Sequence, residues 1–168
     1  QSEDIDQNGT LDITDFGGYG GGMSTMPNMG MDVNGVMFVS FSTVVENISN
    51  GVQNFRHIYI VKSSDGGVSW SSSVDVTPQT LFDGALESVY GSMTTVVNNK
   101  IRIVYQRDGE PGTTLGVDED FVDNNEIVYL EIDTVGLFDG SFTLSTGPNE
   151  KNNGNSMNIF PNPAKNYT

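Results

Sequence analysis

Residues 63–70 read Ser63-Ser64-Asp65-Gly66-Gly67-Val68-Ser69-Trp70. They lie between two segments of strand-like character, Arg56-His57-Ile58-Tyr59-Ile60-Val61-Lys62 before and Ser71-Ser72-Ser73-Val74-Asp75-Val76 after. A short polar, glycine-containing stretch between such segments predicts a hairpin. The turn is specified residue by residue. Asp65 carries a carboxylate that can accept backbone N–H groups further along the turn. Gly66 and Gly67 can take positive φ without a Cβ clash. Ser63 and Ser69 can pin its two ends. Trp70 supplies a large apolar body, expected to be buried against a neighbouring strand.

Strands recur in both directions from this turn. Residues 24–32 read as a first strand, with Pro27 marking a strand start or a bulge. Asn34-Gly35 reads as a tight hairpin turn. Residues 36–45 form a nearly continuous apolar run, as expected of a second strand covered on both faces. A polar loop over 46–54, the third strand, the quoted turn and the fourth strand complete an antiparallel meander over 24–77. A second copy is expected over 78–146, opening with a connector over 78–90. Residues 93–100 align with 29–36, and 101–105 with 37–41, at a constant offset of 64, so that Asn98-Asn99 stands in place of Asn34-Gly35. Residues 126–130 align with 57–61 at an offset of 69, the extra length falling in the loop between second and third strands. A fourth strand is expected through Ser141-Phe142-Thr143-Leu144. Self-similarity at a fixed period is the mark of stacked repeats. In the second copy Asp133-Thr134-Val135-Gly136 stands where the Asp65 turn should be.

The pattern Ser-x-Asp-x-Gly-x-Ser-Trp, carried by Ser63, Asp65, Gly67, Ser69 and Trp70, resembles the Asp-box of sialidases and related β-propellers. The resemblance implies an all-β fold of antiparallel four-stranded blades in a partial β-propeller, with an Asp-box blade over 24–77 and a blade without the box over 78–146. Two blades do not close a propeller, which typically has ~4–8. The resemblance also implies that the box is structural and lies away from a sialidase's active site. The loops at the opposite face, 46–55, 78–90 and 107–125, are then the expected rim. Its candidate residues for calcium or a polar glycan are Arg56, Arg107, Asp108, Glu110, Asp118, Glu119 and Asp120; a solvated acidic loop is the alternative. The sialidase family uses an arginine triad, a Tyr–Glu nucleophile pair and an acid/base Asp. Arg56, Arg102 and Arg107 are the only arginines. No spacing identifies the other members, so no catalytic residue is assigned.

Residues 1–23 differ from the rest. Asp4-Ile5-Asp6-Gln7-Asn8-Gly9-Thr10-Leu11-Asp12-Ile13-Thr14-Asp15 follows the spacing D-x-D-x-N-G-x-x-D-x-x-D. Oxygen ligands from Asp4, Asp6, Asn8, Asp12 and Asp15, with the Thr10 carbonyl and a sharp turn at Gly9, suit a hard cation. The loop resembles dockerin-like and EF-hand calcium loops, which implies Ca2+ as a cofactor. It departs from them at Asp15, where a longer Glu is usual, and at the glycine-rich 16–22, which cannot carry a stable helix. A metal-free acidic turn is the alternative.

Composition narrows the function classes. The 168 residues carry a net charge of −15, which repels phosphate backbones and argues against nucleic-acid partners. The acidic balance fits solubility outside the cell or carboxylates that hold calcium. Cysteine is absent, which excludes disulfides, thiolate metal sites and cysteine nucleophiles. With His57 the single histidine, neither a Ser-His-Asp triad nor a histidine-rich zinc site is supported. No apolar run reaches membrane-spanning length. The chain opens without Met and stops at Tyr167-Thr168, which reads as a piece of a longer protein. Residues 147–156 read as a linker. Within 157–168, Ile159-Phe160-Pro161-Asn162-Pro163-Ala164 resembles the opening strand of the C-terminal sorting domain of type IX secretion cargo from Bacteroidetes-type bacteria, here truncated. That implies the secretion machinery as a partner and a secreted or outer-surface location. The expected function is a sialidase-like propeller module binding a glycan or a surface partner. The alternatives are the C-terminal part of an exo-sialidase-like glycoside hydrolase and a structural adhesion spacer.

Overall fold

The structure, a computed structural model, describes residues 4–19, 21–78, 85–113 and 125–142. Every regular element among them is a strand. The first sheet has the order β1-β2-β3-β4, with β1 Ser24–Met31, β2 Met37–Ser49, β3 Asn54–Ser63 and β4 Val74–Asp75. The second has the order β5-β6-β7, with β5 Glu87–Met93, β6 Lys100–Asp108 and β7 Glu126–Asp133. All the pairings inside both sheets are antiparallel. No helix among the described residues is long and apolar enough to cross a membrane.

Turn chemistry sets the registers. The Asp32 carboxylate accepts the N–H groups of Asn34 at 2.8 Å and Val36 at 2.9 Å, and Gly35 supplies φ +80°. That closes β1 onto β2 with Met31 opposite Met37. In β2, Phe38, Ser40, Ser42 and Val44 are buried on one face. Opposite them on β3 stand Lys62, Ile60, Ile58 and Arg56. This face meets the second sheet. Phe38, Ile58, Ile60 and Val76 form one cluster with Met93, Ile101, Ile103, Tyr105, Ile132 and Leu137. Each such aliphatic side chain contributes about 1.5–3 kcal/mol by leaving water. A parallel link joins the inner edges: Met31 N–H donates to Thr95 O and Val97 N–H to Met31 O, both at 2.9 Å.

The repeat is visible in the backbone. The β1–β2 register shifts between Thr25 and Asn28, and the β5–β6 register shifts between Val89 and Ser92, 64 residues on. Met26 and Tyr90 occupy these bulges with φ of 57° and 53°.

Several expected boundaries change. β2 runs on to Ser49 through the expected loop, because Val44, Val45 and Glu46 are all buried. β5 begins at Glu87, inside the expected connector, and Glu87, Ser88 and Val89 are buried against the first sheet. β4 shrinks to two residues; Ser71 still exchanges hydrogen bonds with Lys62 of β3, its N–H donating to Lys62 O at 2.9 Å and its hydroxyl accepting the Lys62 N–H at 3.0 Å, but residues 71–73 are not in a strand. Ser141 and Phe142 are not in a strand, and the rest of that expected fourth strand, like the connector residues 79–84, the linker 147–156 and the segment 157–168, lies outside the described residues. Trp70 is 43 % exposed rather than buried.

Candidate functional site

The two ends of the first sheet are built differently. At one end the Asp65 turn is closed by its own side chains. Ser63 Oγ donates to Asp65 Oδ1 at 2.8 Å and accepts the Gly67 N–H at 2.8 Å. The other flank is held by Ser69, whose N–H reaches Asp65 Oδ1 at 2.9 Å and whose hydroxyl reaches Oδ2 at 2.5 Å. Gly66 and Gly67 take φ of 73° and 89°. The Ser69 hydroxyl and N–H, then the Ser63 hydroxyl, hold the Asp65 carboxyl down at about 2. Ser63, Asp65 and Ser69 thus spend their polar groups on one another, as a structural turn requires. After β7, Asp139 Oδ1 accepts the Ser141 N–H at 2.9 Å and its hydroxyl at 2.5 Å, a turn two residues long that differs from the Asp65 turn, where the acceptor and Ser69 stand four apart.

At the other end three chain segments converge: the N-terminal loop, the β2–β3 hairpin and the end of β6. The acidic loop is wound on its own carboxylates. Asp4 Oδ2 accepts the Gly9 N–H at 2.8 Å, Asp6 Oδ1 the Asn8 N–H at 3.1 Å, and Asn8 Oδ1 the Thr10 N–H at 2.8 Å. Gly9 makes the sharp turn with φ +88°. The loop is fastened to the sheet by Glu46, a fully buried residue of β2. Its Oε2 accepts the Ile5 N–H at 2.5 Å and its Oε1 the Asp12 N–H at 2.8 Å. Asn54 adds a second fastening, accepting the Thr14 N–H on Oδ1 and donating its own N–H to Asp15 O at 2.7 Å.

Carboxylate oxygens of Asp4, Asp6 and Glu46 lie within 4.8 Å of one another. Among the described residues these three are the group of carboxylates placed so that it could hold a metal ion, and Asn8 lies beside them through its amide on Asp6 Oδ2 at 2.8 Å. Of the other expected ligands, Asp12 lies 3.5 Å from the Asn8 amide but outside the cluster. Asp15 turns to its neighbour and accepts the Phe16 N–H at 2.8 Å. Glu46 thus brings a long carboxylate beside the loop, whose own last position is the shorter Asp15. Sequence reasoning missed it because it is far along the chain and is flanked by loop-like residues. The oxygen-rich, anionic donor set fits a hard divalent cation. Beside it opens a cleft of about 520 Å³ lined by Leu11, Asp12, Thr14, Asn47, Ser49 and Asn54, among others.

The expected rim residues divide. Glu110 stays at the surface, where its Oε2 accepts the Asn50 amide at 2.7 Å across the hairpin. Arg107 pairs with Glu126 on the next strand. Asp108 is buried and accepts the Glu110 N–H at 3.3 Å. Asp118, Glu119 and Asp120 lie outside the described residues.

Arg56 is not on an open rim; it is fully buried. Its guanidinium packs over the rings of Phe16 and Tyr19, at 5.5 and 5.4 Å from their centroids, and donates to Met23 O at 2.7 Å and Gly22 O at 3.0 Å. Its backbone N–H donates to the Glu87 carboxylate, and the Tyr19 hydroxyl accepts the Gly112 N–H at 2.9 Å. Burial pushes the Glu87 carboxyl up to about 8, against the pull of Arg56. Burial likewise raises the Tyr19 phenol and lowers the Arg56 guanidinium. The cluster ties the N-terminal segment to both sheets, with Arg56 Nε 3.9 Å from Glu87 Oε1.

Neither a protein-family model, nor a curated protein, nor a solved structure shows significant similarity to the chain.

Proposed function

We propose that this chain carries two successive blades of an Asp-box β-propeller, secreted or displayed on the outer cell surface, whose rim away from the Asp65 turn binds a polar glycan or a surface partner with the help of Ca2+. The observation that carries the reading is the polarity of the first sheet. Its Asp65 end is internally satisfied, whereas its opposite end gathers Asp4, Asp6 and Glu46 beside an open cleft. The ion would be held by those carboxylates with Asn8, and would fix the loop that forms one wall of the cleft. Surface loops on a rigid sheet are where binding residues concentrate. The bulge and turn that recur after 64 residues support successive blades. Export by type IX machinery rests on the motif within 157–168.

A glycan array probed with the fluorescently labelled chain tests the reading. Binding to a subset of glycans in calcium, lost in EDTA, is the expected outcome. Equal signal on all glycans, or none, would contradict it.

A further inference from the structure

The β2–β3 ladder breaks at one place. Val44 pairs with Arg56 and Ser49 with Asn54, so residues 45–48 stand opposite Phe55 alone. A bulge of this kind re-aims the side chains that it carries. Here it gives two neighbours different tasks. Glu46 is fully buried and holds the Ile5 and Asp12 N–H groups. Asn47 is exposed, takes the left-handed region with φ 60°, and lines the cleft beside the acidic loop. Residues 11–14 line the same cleft, and their backbone is fastened by Glu46 at Asp12 and by Asn54 at Thr14. One bulge thereby sets both walls.

The polar groups left over in that cleft define what it can take. Asn54 is spent: its Oδ1 accepts the Thr14 N–H, and its amide donates to Val45 O at 3.0 Å. The Asn47 amide, with one acceptor and two donors, bonds to none of the described residues, and neither does the Thr14 hydroxyl. Ser49 Oγ accepts the Gly51 N–H at 2.9 Å and keeps its own proton to give. The Asp12 carboxylate stands outside the metal-binding group, with the Asn8 amide 3.5 Å away. Together these are donors and acceptors suited to hydroxyl groups, set beside the apolar Leu11 and Ile13. The volume of about 520 Å³ falls in the range of small-ligand sites.

Charge decides between sugars. Among the described residues that line the cleft there is no lysine or arginine. Arg56 is buried, and its guanidinium is taken by Met23 O and Gly22 O. Asp12 lies in the cleft with Asp4, Asp6 and Glu46 beside it. Three carboxylates outweigh one divalent ion, so the site stays negative with the ion bound. An acidic sugar would meet like charge with no countercharge to receive it, whereas a neutral ring would not. We propose that the cleft binds a neutral sugar, its hydroxyls read by the Asp12 carboxylate and the Asn47 amide, and discriminates against acidic sugars. This rests on the glycan reading above and names its ligand class.

Oligomers of glucose, galactose and mannose, each paired with its uronic acid, test the proposal on an array read in millimolar calcium. The two members of a pair share a ring and differ in whether its primary alcohol is a carboxylate. The neutral member of at least one pair should bind, and its acid about tenfold or more weakly. Titration of the best-bound neutral oligomer into two variants then reads the residues. Asn47→Gly keeps the left-handed backbone, which glycine takes freely, and removes the amide. It should bind the oligomer about tenfold more weakly, with the calcium affinity of the wild type, since Asn47 is no part of the carboxylate group. Asp12→Asn keeps the shape and the N–H on Glu46; it should weaken the neutral oligomer and narrow the gap to the acid. Preference for the uronic acid in a pair, or an Asn47→Gly chain that binds as the wild type does, would overturn the proposal and leave the glycan reading standing. Tighter binding of a lysine-rich peptide than of every sugar would overturn it in favour of a cationic partner. No binding to either member of any pair would overturn both readings.

Discussion

Gly35 and Asn99, 64 residues apart, hold the same left-handed backbone, with φ of 80° and 60°, at the turn that enters the second strand of each sheet. Asn tolerates this region, whereas a β-branched residue does not. Asn99 is exposed, and its carbonyl accepts the Thr134 N–H at 2.9 Å, which any residue could do. Replacing Asn99 with Val should therefore cost about 1–2 kcal/mol through backbone strain alone. Replacing it with Gly should change stability by less than about 0.5 kcal/mol. Urea denaturation of the two variants checks the contrast.

Gly30 has a different reason to be glycine. A Cβ there would lie 2.5 Å from Thr94 O and 3.1 Å from Val97 Cγ2, where the two sheets meet. The backbone oxygen cannot move freely, because the adjacent Met31–Thr95 and Val97–Met31 hydrogen bonds hold the strands. Gly30→Ala should destabilise by about 2–3 kcal/mol, as overpacking does. Gly35→Ala meets nothing within 4 Å and should cost only its φ strain, about 1 kcal/mol. Equal losses in the two variants would contradict the inter-sheet contact.

Glu87 makes stability depend on pH in a defined window. Its folded carboxyl is raised by burial to about 8, above the ordinary unfolded value. Between those values the native state binds more protons than the unfolded one, so stability is greatest below the unfolded value and declines as pH rises towards 8. The slope should reach ~1.4 kcal/mol per pH unit at most. Glu87→Gln keeps an oxygen to accept the Arg56 N–H but cannot ionise. Urea midpoints at mildly acidic, neutral and mildly basic pH should fall with rising pH in the wild type and flatten in the variant.

Asp65 acts with the opposite sign. Its folded carboxyl, held low chiefly by the Ser69 hydroxyl, sits at about 2. Its contribution is present above the unfolded carboxylate value and fades as pH falls through about 2. Asp65→Asn leaves one acceptor where two oxygens now serve Ser63 and Ser69. Hydrogen exchange should quicken at the Ser69 amide in that variant, while amides of β6 and β7 stay unchanged.

Much of the fold was legible because it rests on local chemistry. Asn34-Gly35, its Asn98-Asn99 counterpart and the Asp65 turn each specify a backbone shape within a few residues, and the apolar runs between them locate the central strands. The misplaced boundaries lie where burial comes from distant partners. Glu46 and Glu87 read as loop residues, since an isolated Glu gives no sign of being buried. Glu46 is buried under an N–H 41 residues away and Glu87 under one 31 residues away. Arg56 was placed on the rim for the same reason, although it is buried with its guanidinium over the rings of Phe16 and Tyr19. Trp70 erred the other way, since a large apolar ring suggested a covering strand. At the acidic loop, the spacing singled out Asp4 and Asp6 among the expected ligands, and the fold places beside them a carboxylate from β2, Glu46, which no local pattern encodes.

Isothermal titration of Ca2+ into the chain is the most direct test of the central claim. The wild type should bind one ion at the Asp4–Asp6–Glu46 cluster with an affinity no weaker than about millimolar, the loose end of the range for oxygen-ligand loops. Glu46→Gln, which still accepts an N–H through its amide oxygen, should bind at least about tenfold more weakly. No heat from the wild type at millimolar calcium, or equal binding by Glu46→Gln, would contradict the account.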